Sequence, residues 1–104
     1  MIIMIKTFKI TPKPPASAWE EEVMISINID GKITEFAIRF YKLLKDRYVA
    51  RLEMFADAFE AFRYDIEFFK DLANYTMASY EDIKPTRDEI VKLLLKHNYV
   101  EDKK

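Results

Sequence analysis

The sequence predicts an α+β domain: a three-stranded antiparallel sheet, built from an N-terminal strand plus a hairpin, packed by one long and one short C-terminal α-helix. Three observations predict it. Asp30-Gly31 stands between two alternating apolar runs, Glu22–Ile29 and Lys32–Phe40. From Asp46 to Tyr75 there is no Gly or Pro, and Tyr48, Leu52, Phe55, Phe59, Phe62, Ile66, Phe69 and Ala73 recur at steps of four and three. Thr86-Arg87-Asp88-Glu89 has the form of a capping box ahead of a last apolar run.

The first strand, Ile2–Thr11, rests on β-branched residues. Ile2, Met4, Phe8 and Ile10 fall on one side, interrupted by Lys6, while Ile3 and Ile5 fall on the other. Such a strand is partly covered on both faces. Pro12, Pro14 and Pro15 then exclude helix and central strand, so PKPPAS reads as a stiff extended connection rather than a recognition motif. Counting outward from Asp30-Gly31 sets Ile27 opposite Thr34, Ile25 opposite Phe36 and Val23 opposite Ile38. Met24, Ser26, Asn28, Glu35 and Arg39 fill the other face, the pattern of a sheet covered on one side. Tyr41–Lys45 reads as the switch from strand to helix, with Asp46 as N-cap. The long helix is expected to end between Tyr75 and Ser79. Tyr80–Lys84 reads as a loop closed by Pro85. The second helix runs to about His97 with Ile90, Leu93, Leu94 and His97 near one face, and the charged tail Glu101–Lys104 is expected to fray.

With 104 residues the chain has material for one domain, 1–104, and one core. It has no Cys, hence no disulfide framework and no thiolate ligand or nucleophile, as in a reducing compartment. The 17 basic and 18 acidic side chains give a net charge of −1, so no global field favours nucleic acid or an anionic membrane. The apolar start is too short before Lys6 for a signal segment, and no run approaches the ~18–20 apolar residues of a membrane span. The chain reads as soluble and cytoplasmic. A single Gly leaves no phosphate loop, and the element order does not match a dinucleotide-binding fold.

Few residues suggest chemistry. His97 is the only His, and Ser17, Ser26 and Ser79 fall in a linker, on a strand face and at a helix end, so no Ser–His pair is indicated. Glu53, Asp57, Glu60, Glu67 and Asp71 line one side of the predicted long helix, opposite the Phe stripe. Carboxylate metal sites in bundles use inward-facing Glu with Glu-x-x-His partners, so this side reads as solvated and no metal or cofactor is implied. Lys42, Lys45, Arg47 and Arg51, interleaved with Tyr41 and Tyr48, could meet phosphates, but the acidic side follows at once and the module order fits no DNA-binding motif.

The charge order is more telling. Basic residues at the N-terminal end of the predicted helix and acidic ones further on oppose the helix dipole. An antiparallel copy would bring Arg47 and Arg51 near Glu67 and Asp71 of its partner. Met54, Ala61 and Phe68 form a second apolar row beside the main stripe, more than a small sheet should cover. The candidate interface is therefore Arg47, Arg51, Met54, Ala61, Glu67, Phe68 and Asp71, in a homodimer or against another protein. Within one chain, the second helix and Trp19 are the alternative cover for that row.

The hairpin residues Ile29, Gly31, Lys32 and Phe36, together with Pro85, Thr86, Arg87, Asp88, Glu89 and Ile90, give the chain a likeness over about two-thirds of its length. It resembles the tail assembly chaperones of long-tailed bacteriophages, which have a similar hairpin, a helical body and a late helix start. The first strand, the PKPP connection and the unbroken Phe-rich stretch depart from that pattern. The resemblance implies a non-catalytic protein that binds the tape measure or tail tube protein, and transfers no functional residue. The sequence thus points to a small non-catalytic protein-interaction module of phage or mobile-element type, an assembly chaperone or inhibitor. A nucleic-acid-associated regulator and a small-molecule binder or enzyme with a sheet–helix pocket are the competing readings.

Overall fold

Asp30 and Gly31 both adopt positive φ, 51° and 89°, as a two-residue hairpin turn with right-handed strand twist requires. The computed structural model containing this turn describes residues 5–13, 21–44, 47–54, 63–81 and 87–102, and the architecture is α+β. The turn joins β2 (Glu21–Ile29) to β3 (Lys32–Leu44) in the expected register, with Ile27 opposite Thr34, Ile25 opposite Phe36 and Val23 opposite Ile38. Strand β1 (Lys6–Lys13) pairs antiparallel with the other edge of β2. The turn is anchored to it: Asp30 N–H donates to the Ile5 carbonyl at 2.9 Å, and the Ile5 N–H donates to Asp30 Oδ1 at 2.8 Å.

The expected long helix from Asp46 is corrected by the structure. Strand β3 continues to Leu44, and Arg47–Met54 forms a fourth strand, β4, antiparallel to it. Two causes are visible. Phe36, Ala37, Ile38 and Phe40 of β3 are buried, and without β4 their second backbone edge would lack partners. The segment also alternates: Tyr48, Ala50 and Leu52 stand on the covered face beside Lys42, Phe40 and Ile38, while Arg51 and Glu53 point the other way. Tyr41–Lys42 is accordingly strand rather than a switch, and Asp46, Phe55, Phe59 and Phe62 lie outside the described residues.

Helix α1 spans Ile66–Met77 and starts at Asp65, whose carboxylate accepts the Phe68 N–H at 3.2 Å as an N-cap. Its phase differs from the predicted stripe. Phe68, Leu72 and Thr76 are buried, whereas Ile66 is exposed and Phe69 and Ala73 are half-buried. Once residues 47–54 belong to the sheet, Tyr48 and Leu52 no longer set the helix rotation, and the Phe68–Leu72 pair does. Thr76 sits inside the core because its hydroxyl donates back to the Leu72 carbonyl at 3.0 Å.

Tyr80 lies in a short strand, β5 (Ser79–Glu81), on the outer edge of β4, rather than in a loop. Helix α2 covers Arg87–Lys96, close to expectation; Thr86 and Pro85 lie outside the described residues. It ends in a Schellman closure: Asn98 takes φ 68°, its N–H donates to the Leu95 carbonyl at 3.0 Å, and the Tyr99 N–H donates to Leu94 at 3.0 Å. That reversal sends Val100–Glu101 along β1 as a parallel edge strand, β6, with Asp102 N–H on the Phe8 carbonyl at 2.8 Å. The expected frayed tail is thus ordered through Asp102. The sheet order is β5-β4-β3-β2-β1-β6. Both helices cover one face, where Phe68, Leu72, Ile90 and Leu94 meet Phe8, Ile25, Ile27, Phe36 and Ile38. Neither described helix is long and apolar enough to cross a membrane.

Candidate functional site

The residues predicted to form one helical interface are distributed over three environments. Arg47 and Arg51 belong to β4, Glu67 and Asp71 to α1, and Phe68 is fully buried between them in the core. Phe68 packs against Phe36, His97 and Tyr99, with ring centroids 6.5, 5.6 and 5.0 Å away, so it is not a docking residue. The Met54 side chain and Ala61 lie outside the described residues. With no continuous helix from 46 to 75, the antiparallel helix pairing and its dipole argument lose their basis. Arg51 instead donates to the Thr76 carbonyl at 3.2 Å, meeting the partial negative charge at the end of α1.

Several of the titratable groups hold elements together. Asp71 Oδ2 contacts His97 Nε2 at 2.6 Å and Lys96 Nζ at 3.1 Å, tying α1 to the end of α2. The bond with His97, then that with Lys96, holds the Asp71 carboxyl below its ordinary value. Glu53 pairs with Arg39 at 2.9 Å, and Glu67 lies 3.8 Å from Lys70; Asp57 and Glu60 are outside the described residues. Among the described residues no group of three or more His, Asp or Glu side chains could hold a metal ion. His97 and Ser26 lie on opposite sides of the sheet, since His97 contacts the buried Phe68 while Ser26 stands on the open face. The basic cluster also divides. Lys42 and Tyr48 share one face, Tyr41 and Val49 the other, with Arg51 beside Arg39; Lys45 is outside the described residues.

One cluster was not anticipated. Lys6, which interrupts the apolar side of β1, reaches Asp65 Oδ2 at 2.8 Å, with side-chain exposures of only 13% and 12%. Its ammonium also lies 4.5 Å from the centroid of the Tyr99 ring. Burial, and secondarily the Asp65 carboxylate, push the Tyr99 phenol far above its ordinary value. A lysine within an apolar alternation was the available signal; its acid, 59 residues away, was not readable locally.

The sheet face away from the helices has a defined pattern, because residues opposite one another on neighbouring strands share a face. Val100, Thr7, Asn28 and Ile33 form one row across β6, β1, β2 and β3. Lys9, Ser26 and Glu35 form the next, then Thr11, Met24, Ala37 and Glu53, then Glu22, Arg39 and Arg51. Arg39 bridges Glu22 at 3.0 Å and Glu53 at 2.9 Å, with both acids raising its affinity for the proton. At the hairpin end the charges stop. Ile33 is 67% exposed, Val100 64%, and Ile5, two positions before Thr7, 68%. No family model, curated protein or solved structure matches the chain.

Proposed function

We propose that this protein is a non-catalytic interaction module that binds another protein through the open face of its sheet. The observation that carries this reading is the exposure of Ile5, Ile33 and Val100 at one end of the face that neither described helix covers, around the small polar residues Thr7 and Asn28. Isolated exposed aliphatics are ordinary, but three sharing one end of a flat face make a docking surface. The acids and the His weighed above for chemistry support it from the other side, since Asp71, His97 and Glu53 each serve a structural contact. The resemblance to phage tail assembly chaperones would supply a tape measure or tail tube protein as partner.

Affinity capture from source cells tests the reading with wild type, Ile33→Asp and, as control, Met77→Asp on the far side of the molecule. Met77 is the more exposed residue, so a general loss of surface apolarity would affect both variants. The expected result is a bound protein retained by wild type and Met77→Asp and lost by Ile33→Asp. Retention by Ile33→Asp with loss by Met77→Asp would move the working surface to the helices and refute the proposal.

A further inference from the structure

We infer that the open face docks a second copy of this chain, in an isologous pair whose two-fold axis runs along β2; this rests on the reading of that face as a protein-binding surface. The inference comes from how residues are disposed about β2, the strand between β1 and β3. In the row Lys9–Ser26–Glu35, a base stands on the β1 side of Ser26 and an acid on the β3 side, each about 4.8 Å from the central strand. In the neighbouring row Val100 and Thr7 lie on the β1 side of Asn28 and Ile33 lies on the β3 side, with Ile5 continuing the β1 side.

A two-fold axis laid along β2, midway between two facing sheets, exchanges the β1 side of one copy with the β3 side of the other. Lys9 then meets Glu35 of the copy, and Glu35 meets its Lys9. Ile33 meets Thr7 of the copy between that chain's Ile5 and Val100, and the reverse contact forms at once. One operation therefore matches charge with charge and sets each Ile33 beside the copy's Ile5 and Val100. Among the described residues, neither Lys9 nor Glu35 has an ion pair within its own chain, so both are free to make these contacts.

The row Glu22–Arg39–Arg51 is the part of the face such an axis does not match, because Glu22 would stand over its own copy. That row lies about 20 Å along the strands from the Ile33 row. Packed sheets cross at about 30°, so their far ends diverge, and the Glu22–Arg39–Glu53 bridge stays in water. The contact is confined to the hairpin half of the face.

Sedimentation equilibrium of the purified chain, from micromolar to about millimolar concentration, tests the inference. Wild type is expected to reach a two-chain mass. Ile33→Lys should weaken association about tenfold or more, and Lys9→Glu and Glu35→Lys singly several-fold each. The double variant Lys9→Glu/Glu35→Lys should recover wild-type association, because the exchange restores each cross-copy pair. All these side chains are on the surface, and unchanged near-ultraviolet circular dichroism confirms that each variant is folded. A wild type that stays monomeric at the highest concentration overturns the inference, as does a dimer indifferent to Ile33→Lys. A double variant no better than the singles overturns the axis. A monomeric wild type that still captures another protein in an Ile33-dependent way would leave the interaction module standing and remove only the copy as its occupant.

Discussion

Asp65 carries two loads that can be separated by mutation. Its carboxylate caps α1 through the Phe68 N–H and neutralises Lys6 where both side chains are nearly buried. Asp65→Ala removes both. Loss of the cap costs about 1 kcal/mol. A lysine left nearly buried without its acid costs about 2–3 kcal/mol, below the 3–5 of a fully buried pair because some exposure remains. The sum, about 3–4 kcal/mol, is a large share of the 5–15 kcal/mol that typically holds a domain folded. Asp65→Asn keeps an acceptor for the Phe68 N–H and so isolates the charge contribution at about 2–3 kcal/mol. Lys6→Met replaces the other ion with an apolar chain of similar length, and in the double variant Lys6→Met/Asp65→Asn most of the loss should be recovered. Urea unfolding of the four proteins closes a double-mutant cycle. A coupling energy below about 0.5 kcal/mol would show that the two side chains are neighbours without being a functioning pair.

Phe68→Ala should cost about 3–5 kcal/mol in the same assay, because it opens a cavity among Phe36, His97 and Tyr99; a loss under about 1 kcal/mol would mean the ring is not in the core. The lowered folded-state affinity of Asp71 for protons stabilises above the ordinary value of 3.8 and is lost as pH falls through the still lower folded value. The stability of Asp71→Asn should therefore fall less steeply than that of wild type below pH 3.8, and equal slopes in acid unfolding would count against the tie. The raised Tyr99 and Tyr80 phenols act in the opposite direction. Both favour the fold below the unfolded value of 10.0, and that contribution is lost as pH rises above it. Tyr99→Phe removes the raised phenol and should resist alkali better than wild type, as followed by phenolate absorbance and circular dichroism.

What could be read from the sequence was what is locally encoded. Asp30-Gly31 specifies its own turn, and the turn with period-two alternation specifies the pairing of β2 with β3 to the residue. Helix α2 was readable for the same reason, an apolar repeat beside a start signal. Strand β4 was misread because residues 47–54 satisfy two periods at once. Tyr48 and Leu52 continue a helical series into Phe55, yet Tyr48, Ala50, Leu52 and Met54 alternate with Arg47, Arg51 and Glu53 in strand fashion. The arbiter is the unpaired edge of β3, a non-local demand that no window of sequence displays. Asp65 was the overlooked local signal: a cap residue directly before Ile66, about five turns into what looked like an uninterrupted helix. Placing the helix start there moves Phe68 from the flank to the core, and the predicted interface dissolves with it.

The surface that remains follows from the economy of a two-layer fold. Helices of 12 and 10 residues both turn their apolar stripes to the same face of the sheet, so neither described helix covers the other face, where Ala37 and Val49 are nevertheless buried. Over its charged half the sheet does this in the usual way, with small residues at the centre and a cross-strand Glu22–Arg39–Glu53 bridge above them. Over the hairpin half it does not: alternation puts Ile5 and Ile33 outward where Thr or Lys would serve solvation better. Neither side chain supports the core, since alternation sends both away from it. About two thirds of each therefore stays exposed within one chain, and a surface laid over them would gain free energy in proportion to the apolar area it removed from water.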